Sequence, residues 1–212
     1  MEVAMKNSNS PINFYFDFIS PYGYVAAAKI KEIADRYDRQ IEWHPMLLGV
    51  SVLKKMGLKP LLETPLKGAY CMKDLPRLAA LYDIPLKPAF PMPKPLPAAR
   101  CLTWVRQNMP IKTEEFALAV YRSYWAEGKN ISDYSVLAGI ADLIGIDGDR
   151  MIADAEGEPV KQALMSAVED SMKQGVFGSP TFEVDGELIW GCDRLWMLEH
   201  WLKYGRWQPL SS

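Results

Sequence analysis

Apolar and polar positions along the chain change their spacing from one region to the next. Residues 13–19 form an almost unbroken aromatic and aliphatic run, and residues 40–48 alternate between apolar and polar, as buried and half-buried strands do. Between them, residues 22–37 carry Ala, Ile, Lys and Glu at helical spacing. A strand, a helix and a strand in this order predict a βαβ unit with two parallel strands.

The middle of the chain is predicted to be mainly helical. Residues 49–67 indicate a loop or a weak helix, residues 67–82 have helical spacing, and the six prolines within residues 84–97 favour an extended strap. Further helices are predicted at residues 98–108, 114–127, 132–145, from 149, and 159–174. Thr113 and Ser132 are predicted to cap the second and third of these helices, and Asp149 is predicted to begin the fourth.

Strands return near the end of the chain, at residues 181–184 and 187–190. Asp185-Gly186 joins them, and this dipeptide between two alternating runs is typical of a tight hairpin. A last helix is predicted from Asp193 to Tyr204. With Pro180 just before the third strand, the α/β layout βαβ…ββα resembles a thioredoxin-like domain. That domain would comprise residues 12–49 and 176–212, with an all-helical insertion at 50–175 and a disordered leader at 1–11.

Composition and charge exclude several classes of function. The chain has 212 residues, 49% of them hydrophobic, and a net charge of −2, which gives no reason to expect nucleic acid or a membrane surface as a partner. No apolar run approaches the ~20 residues of a transmembrane helix, and the polar N-terminus favours a cytoplasmic protein. Three separated cysteines match neither a disulfide framework nor a zinc site, and His44 and His200 are interpreted as structural.

Ser20-Pro21 stands between the first strand and the first helix. Pro21 suits the first helical position, and Ser20 suits the N-cap. A hydroxyl there meets free amide donors and the positive end of the helix dipole, so it can cap the helix or help to hold an anion. Thiol-disulfide enzymes of this fold carry Cys-x-x-Cys at this turn. Because serine cannot form a disulfide, Ser20 is expected to donate a hydrogen bond to an external thiolate, most obviously that of glutathione.

The second candidate segment, Gly178-Ser179-Pro180-Thr181, directly precedes the third strand. In the thioredoxin-like layout this is the position of a cis-proline, and an X-Pro bond becomes cis at little cost. A cis bond would turn the backbone of Ser179 outward beside Ser20, where it could pair with an extended peptide. The alternative is an ordinary turn before a hairpin.

Five motifs make the resemblance specific. FDFISPYGY at 16–24, PMLLG at 45–49, YWAEG at 124–128, GSPTF at 178–182 and GCDRL at 191–195 together resemble the 2-hydroxychromene-2-carboxylate isomerases. These enzymes are relatives of kappa-class glutathione transferases and of DsbA-like proteins. The match runs from about residue 13 to residue 201, nearly the whole chain.

The resemblance implies how glutathione, the cofactor of this family, would be held. Ser20 matches the catalytic serine that faces the sulfur, and Ser179 the position whose backbone holds the cysteinyl part. The implied binding residues are Ser20, Lys67, Ser179, Pro180, Gly191, Cys192, Asp193 and Arg194. Among them, Cys192 and Asp193 match the pair at the γ-glutamyl end, and Lys67 lies near a family lysine that meets the glycyl carboxylate. The chain departs from the family at Leu58, often Asn in relatives, and at Cys192, often Ser or Gln.

The implied activity is glutathione-dependent isomerisation of 2-hydroxychromene-2-carboxylate to trans-o-hydroxybenzylidenepyruvate, by reversible thiolate addition, in the breakdown of naphthalene-like aromatics. The substrate would be a small, flat aromatic carboxylate, and relatives indicate a homodimer. Candidate substrate-binding residues are Tyr22, Trp43, Phe90 and Trp190 as walls, with Lys67 or Arg100 as the carboxylate partner. Two alternatives remain open at this point: a kappa-class-like glutathione transferase that releases its conjugate, and a non-catalytic thioredoxin-fold binding module.

Overall fold

A single mixed sheet organises the computed structural model, which describes residues 10–88 and 91–210. The strands are β1 (Ile12–Phe16), β2 (Ile41–Pro45), β3 (Thr181–Val184) and β4 (Glu187–Trp190). Their order is β2-β1-β3-β4, with β1 parallel to β2 and antiparallel to β3, and β3 antiparallel to β4. The predicted thioredoxin-like βαβ…ββα layout is therefore confirmed.

Helices fill the space between and around the strands. The α-helices of the described chain are α1 (Pro21–Arg36), α2 (Lys67–Leu81), α3 (Leu96–Asn108), α4 (Thr113–Trp125), α5 (Tyr134–Leu143), α6 (Gly148–Ala155), α7 (Glu158–Lys173) and α8 (Leu195–Tyr204). Helix α1 joins β1 to β2, helices α2 to α7 form the predicted insertion before β3, and α8 follows β4. No helix in the described ranges is long and apolar enough to cross a membrane.

The segment between β2 and α2 is more regular than a loop. Gly49–Lys55 forms a π-helix and Leu61–Glu63 a 3₁₀ turn. The proline-rich strap that follows α2 lacks regular structure in its described part, and hydrogen bonds fix it at two points. The Tyr24 hydroxyl donates to the Pro85 carbonyl at 2.7 Å, and Lys87 N–H donates to the Trp125 carbonyl at 2.6 Å. The strap therefore lies against both α1 and α4.

Strand β1 is shorter than the predicted run of residues 13–19. It ends at Phe16, and the Ser20 N–H donates to the Asp17 carbonyl at 2.9 Å, which closes a turn before α1. Of the predicted leader, residues 1–9 lie outside the described residues. Ser10 hydrogen-bonds to Arg39 and to Asp185, so the last part of the leader is attached to the sheet domain.

Two predicted helix caps are wrong. Thr113 is itself the first residue of α4, which has no side-chain cap. Helix α5 is capped by Asp133, whose carboxylate accepts a hydrogen bond from Ser135 N–H at 2.9 Å, and not by Ser132. The Ser132 hydroxyl accepts a hydrogen bond from Lys94 N–H at 2.6 Å instead, which ties α5 to the proline-rich strap.

Two further helices begin at positions that differ from the predicted ones. The cap of α6 is Asp147, which accepts from Arg150 N–H at 3.0 Å, so Asp149 falls within the first turn. The last helix does not begin at Asp193, because Cys192–Arg194 forms a 3₁₀ turn and α8 begins at Leu195. Each shift is small, but it decides which side chains face the free amides of the helix.

The main hydrophobic core is shared by the sheet and the helical insertion. On one face of β1, Phe14 stacks on Phe182 with 5.4 Å between ring centroids and meets the edge of Trp43 at 5.1 Å. Phe16 contacts the ring of Tyr121 on α4 at 5.5 Å. This packing fixes the end of β1, and with it the turn that carries Ser20.

Candidate functional site

Ser20 caps α1 at the turn that follows β1, as predicted. Its Oγ accepts a hydrogen bond from Gly23 N–H at 3.0 Å. The same hydroxyl donates to the backbone carbonyl of Ser179 at 3.0 Å. Only 3% of Ser20 is exposed, so its single proton is committed to the loop before β3.

That loop carries the predicted cis bond, between Ser179 and Pro180. The Ser179 hydroxyl accepts a hydrogen bond from Asp17 N–H at 3.0 Å, and the Pro180 carbonyl accepts one from Gly191 N–H at 2.9 Å. Ser179 is half-buried, and no residue in the described ranges accepts a hydrogen bond from its N–H. The loop therefore presents a backbone donor next to the Ser20 hydroxyl.

Two glycines allow these segments to approach one another. A Cβ at Gly23 would lie 2.7 Å from the Tyr121 hydroxyl and 2.9 Å from the Ser179 Oγ. Gly191 has a φ of +108°, and a Cβ there would lie 2.4 Å from an oxygen of Asp193. A larger residue at Gly23 would push these segments apart, whereas one at Gly191 would strain a backbone conformation that favours glycine.

The turn at Cys192–Arg194 places its three side chains in different surroundings. Cys192 is buried, and burial together with the charges of Asp193 and Asp74 raises the pKa of its thiol to about 12. The thiol is therefore protonated and unreactive at neutral pH. The Asp193 side chain is 69% exposed and forms an ion pair with Arg194 at 3.4 Å, and Arg194 also donates to the Trp190 carbonyl at 2.9 Å.

A cavity of about 380 Å³ opens between the first turns of α1 and α2. It is lined by Tyr22, Leu61, Leu66, Lys67, Tyr70 and Cys71. Lys67 is exposed and forms no ion pair with any described residue. The lining is thus mainly apolar with one free cation, a combination that suits an apolar anion.

Asp74 fixes the aromatic wall of this cavity. Its carboxylate accepts hydrogen bonds from the Tyr22 hydroxyl at 3.0 Å and from the Tyr70 hydroxyl at 3.2 Å. Burial, with contributions from Cys71 and Asp74, raises the pKa of Tyr22 far above its ordinary value. The Tyr22 phenol therefore stays neutral, and both hydroxyls act as hydrogen-bond donors to Asp74.

The structure does not bring every predicted substrate residue to this cavity. Trp43 is 2% exposed and packs edge-on against Phe14 and Phe16, so its prediction as a wall was wrong. Its alternation with Glu42 and His44 places it on the core face of β2. Arg100 lies on α3 and does not line the cavity. Phe90 lies outside the described residues.

Trp190 lies beside the cis-proline loop. Its side chain is half-exposed, and its ring packs against Phe177 with centroids 4.9 Å apart. A Cβ at Gly178 would lie 2.6 Å from the Trp190 Nε1, so the indole covers the residue next to Ser179. This position keeps Trp190 next to the cis-proline loop, where a planar ligand could contact it.

The sequence did not identify Asp17 as a candidate site residue, although it lies three residues before Ser20. It is 1% exposed, and its carboxylate accepts hydrogen bonds from Ile19 N–H at 3.1 Å and Leu48 N–H at 2.8 Å. Burial raises its pKa to about 6, against the lowering effect of those two bonds. The available signal was a single acid in the otherwise apolar run of residues 14–19.

The family follows from comparison with known proteins. The sequence model of the family described as DSBA-like thioredoxin domain matches residues 11–203. The chain therefore belongs to the DsbA-like family of thioredoxin-fold proteins.

Individual relatives within this family include isomerases and transferases. The chain is 32% identical over 192 residues to a 2-hydroxychromene-2-carboxylate isomerase of Sphingobium xenophagum, covering 90% of this chain and 97% of that protein. It is 24% identical over 208 residues to glutathione S-transferase kappa 1 of Rattus norvegicus, covering 90% of each. A solved 2-hydroxychromene-2-carboxylate isomerase structure matches with a TM-score of 0.80 at 26% identity, covering 91% of this chain and 94% of that one. The resemblance indicated by the five motifs is confirmed.

Proposed function

We propose that the chain is a glutathione-dependent isomerase of the 2-hydroxychromene-2-carboxylate type. The observation that carries the proposal is the hydrogen bond of 3.0 Å from the Ser20 hydroxyl to the Ser179 carbonyl, beside Pro180. It joins a helix-capping hydroxyl to a backbone segment with a free N–H. Together they offer a bound peptide thiol both a donor to its sulfur and a partner for its backbone.

The residues around Ser20 fit a small acidic peptide with one thiol. The free N–H of Ser179 suits its central amide, and the exposed Asp193 carboxylate suits an α-ammonium group. Lys67, which has no carboxylate partner in the described ranges, suits the carboxylate at the other end. Glutathione bound there would supply a thiolate that adds reversibly to a conjugated double bond.

Ser20 would stabilise that thiolate by changing the acceptor of its one proton. In the structure the proton is donated to the Ser179 carbonyl. A hydrogen bond to a charged acceptor is stronger than one to a neutral carbonyl, so the exchange is favourable when an anion is present. The N-terminus of α1 adds the positive end of its dipole at the same point.

The proposed substrate is a small aromatic carboxylate held in the cavity between α1 and α2. Tyr22 and Tyr70 supply flat walls that Asp74 holds in place, and Leu61 and Leu66 supply apolar surface. Aromatic rings pack well against such walls. The isomerase relatives support the same substrate class. A role in aromatic catabolism is part of the proposal.

A kappa-class-like transferase is the second candidate, supported by the similarity to the rat enzyme. The test is to incubate the protein with 2-hydroxychromene-2-carboxylate, with and without glutathione, and to separate the products by chromatography. The isomerase proposal expects the trans isomer, glutathione unconsumed, and no reaction in glutathione-free buffer. A released conjugate would favour the transferase, and absence of glutathione binding by calorimetry would favour a non-catalytic binding module.

A further inference from the structure

Asp17 is a buried carboxylate three residues before Ser20, and it connects two segments of backbone. Its Oδ1 accepts a hydrogen bond from Ile19 N–H at 3.1 Å, within the Ser20 turn. Its Oδ2 accepts one from Leu48 N–H at 2.8 Å, in the segment that follows β2. The carboxylate therefore holds the Ser20 turn against the end of the neighbouring strand.

The backbone of Asp17 joins the same turn to two more elements. Its N–H donates to the Ser179 hydroxyl at 3.0 Å, and its carbonyl accepts from the Tyr121 hydroxyl of α4 at 3.0 Å. Because Ser20 also donates to Ser179, the turn is bonded to the cis-proline loop at both ends. The position of the Ser20 hydroxyl thus depends on where Asp17 lies.

This arrangement depends on the negative charge of Asp17. An ionised carboxylate accepts at both oxygens, whereas a protonated carboxyl carries a donor on one of them. Protonation therefore weakens or removes the hydrogen bond to either Ile19 or Leu48. A buried N–H without an acceptor is costly, so the backbone would move to regain one.

The groups that face Asp17 leave it as the residue that titrates here. They are the two backbone amides, the hydroxyl of Ser179 and the phenol of Tyr121. No lysine, arginine or histidine among the described residues forms an ion pair with it. Burial, and after it the charge of Asp17, holds the pKa of Tyr121 well above its ordinary value, so the phenol stays neutral.

We propose that Asp17 is a positioning residue for the thiol site. Its ionised carboxylate holds the Ser20 turn against Ser179 and against the segment after β2, and its protonation loosens this arrangement and weakens glutathione binding. The inference rests on the glutathione role proposed above. Burial raises the pKa of Asp17 to about 6, which places the change in mildly acidic solution.

The test measures the affinity of S-methylglutathione by calorimetry between pH 5 and pH 8. This analogue is chosen because its sulfur carries no ionisable proton, so pH dependence near 6 comes from the protein. If only the form with ionised Asp17 binds, the dissociation constant of the wild type is about tenfold higher at pH 5 than at pH 7. Asp17→Asn should bind weakly at every pH, close to the wild-type value at pH 5.

Two further variants separate positioning from general damage. Asp149→Asn removes an exposed acid of α6 and should keep the pH dependence of the wild type. Asp17→Glu keeps an ionisable group at the site and should restore part of the pH dependence that Asp17→Asn loses. If Asp17→Asn does not fold, Asp17→Glu still tests the assignment, because its pH dependence should be shifted or reduced relative to the wild type.

A wild-type affinity that is constant between pH 5 and pH 8 would overturn the inference. So would an affinity that rises on acidification, since the carboxylate would then act by repelling an anionic peptide. A tenfold pH dependence retained in Asp17→Asn would assign the titration to another group. Failure to bind at every pH would contradict the glutathione role itself, and this inference with it.

Discussion

The Ser20 hydroxyl has one proton, and its role as a donor to sulfur can be separated from its role as a helix cap. A free cysteine thiol titrates near ~8.5, and one hydrogen bond to a charged acceptor contributes roughly 1.5–3 kcal/mol. Ser20→Ala should therefore slow the glutathione-dependent reaction about 10- to 100-fold at neutral pH. Part of the loss should return as the pH rises, because alkali supplies the thiolate that the variant cannot stabilise.

The measurement for Ser20→Ala is a pH–rate profile beside the wild type, with Ser166→Ala on the exposed face of α7 as a matched control. Loss of the cap alone costs about 1 kcal/mol of stability and leaves the chemistry unchanged once the protein is folded. A rate equal to the wild type at neutral pH would therefore reduce Ser20 to a cap. A covalent role would instead give loss at every pH.

A separate prediction about stability concerns Asp17. Its pKa of about 6 in the folded protein lies above the ordinary 3.8, so ionisation is less favourable in the folded than in the unfolded chain. The free energy of unfolding therefore has its full contribution from this group below pH ~4. On the order of 3 kcal/mol of it is lost as the pH rises through about 6. The free energy of unfolding, measured in urea, should therefore fall between pH 4 and pH 7 in the wild type by more than it does in Asp17→Asn. A difference between the two proteins that is constant with pH would contradict this assignment.

These two residues also mark what the sequence can predict at this scale. Ser20 could be predicted because its cap depends on neighbours in the chain, Pro21 and Gly23. Asp17 could not, because its partners Leu48 and Ser179 come from distant segments that only the folded sheet brings together. Burial of a charge that lowers stability at neutral pH is typical of functional sites, where position matters more than stability.

At the scale of elements, periodic segments were predicted well and their ends less well. Helix α2 was expected at residues 67–82 and spans Lys67–Leu81, because its apolar spacing is local information. The cap of α5 was assigned to Ser132, although Asp133 beside it makes the capping bond. Adjacent polar residues are equally good candidates by sequence, and only the backbone geometry of the turn decides between them.

The cap of α6 gives a direct test of that distinction. Asp147 accepts a hydrogen bond from Arg150 N–H at 3.0 Å, whereas Asp149 lies within the exposed first turn. Asp147→Ala should lower the free energy of unfolding by about 1 kcal/mol. Asp149→Ala should lower it by less, since it removes only a favourable interaction with the helix dipole. Equal losses in chemical denaturation would show that the capping bond contributes nothing of its own.

At the scale of the whole molecule, the helical insertion is packed into the sheet domain as part of one core. Tyr121 and Trp125 of α4 contact Phe18 and Tyr24, with ring centroids 5.1 Å apart for Tyr121–Phe18 and 6.0 Å for Trp125–Tyr24. The Trp125 indole N–H also donates to the Phe18 carbonyl at 2.9 Å. Helix α4 therefore supports both α1 and the turn that carries Ser20.

Assembly of two copies remains a prediction from the relatives. The segment between β2 and α2, and α2 itself, carry exposed apolar side chains that a second copy could cover, among them Leu53, Met56, Leu58, Leu66 and Met72. Large exposed apolar patches are typical of interaction surfaces. Light scattering at micromolar concentration should give the mass of a homodimer, about twice 24.0 kDa, and the mass of one chain would contradict it.

A shared core has a consequence for unfolding, because neither part can lose its packing without exposing the other. We expect a single cooperative transition in urea, in which far-ultraviolet circular dichroism and tryptophan fluorescence give the same midpoint. Helices dominate the first signal, while the second includes Trp43 in the sheet core and Trp104 in the insertion. Trp125→Phe should lower the midpoint for both signals together, because it removes buried surface and the hydrogen bond to Phe18. Midpoints that separate, with the fluorescence change preceding the loss of helix, would instead mean that the sheet domain and the insertion unfold independently.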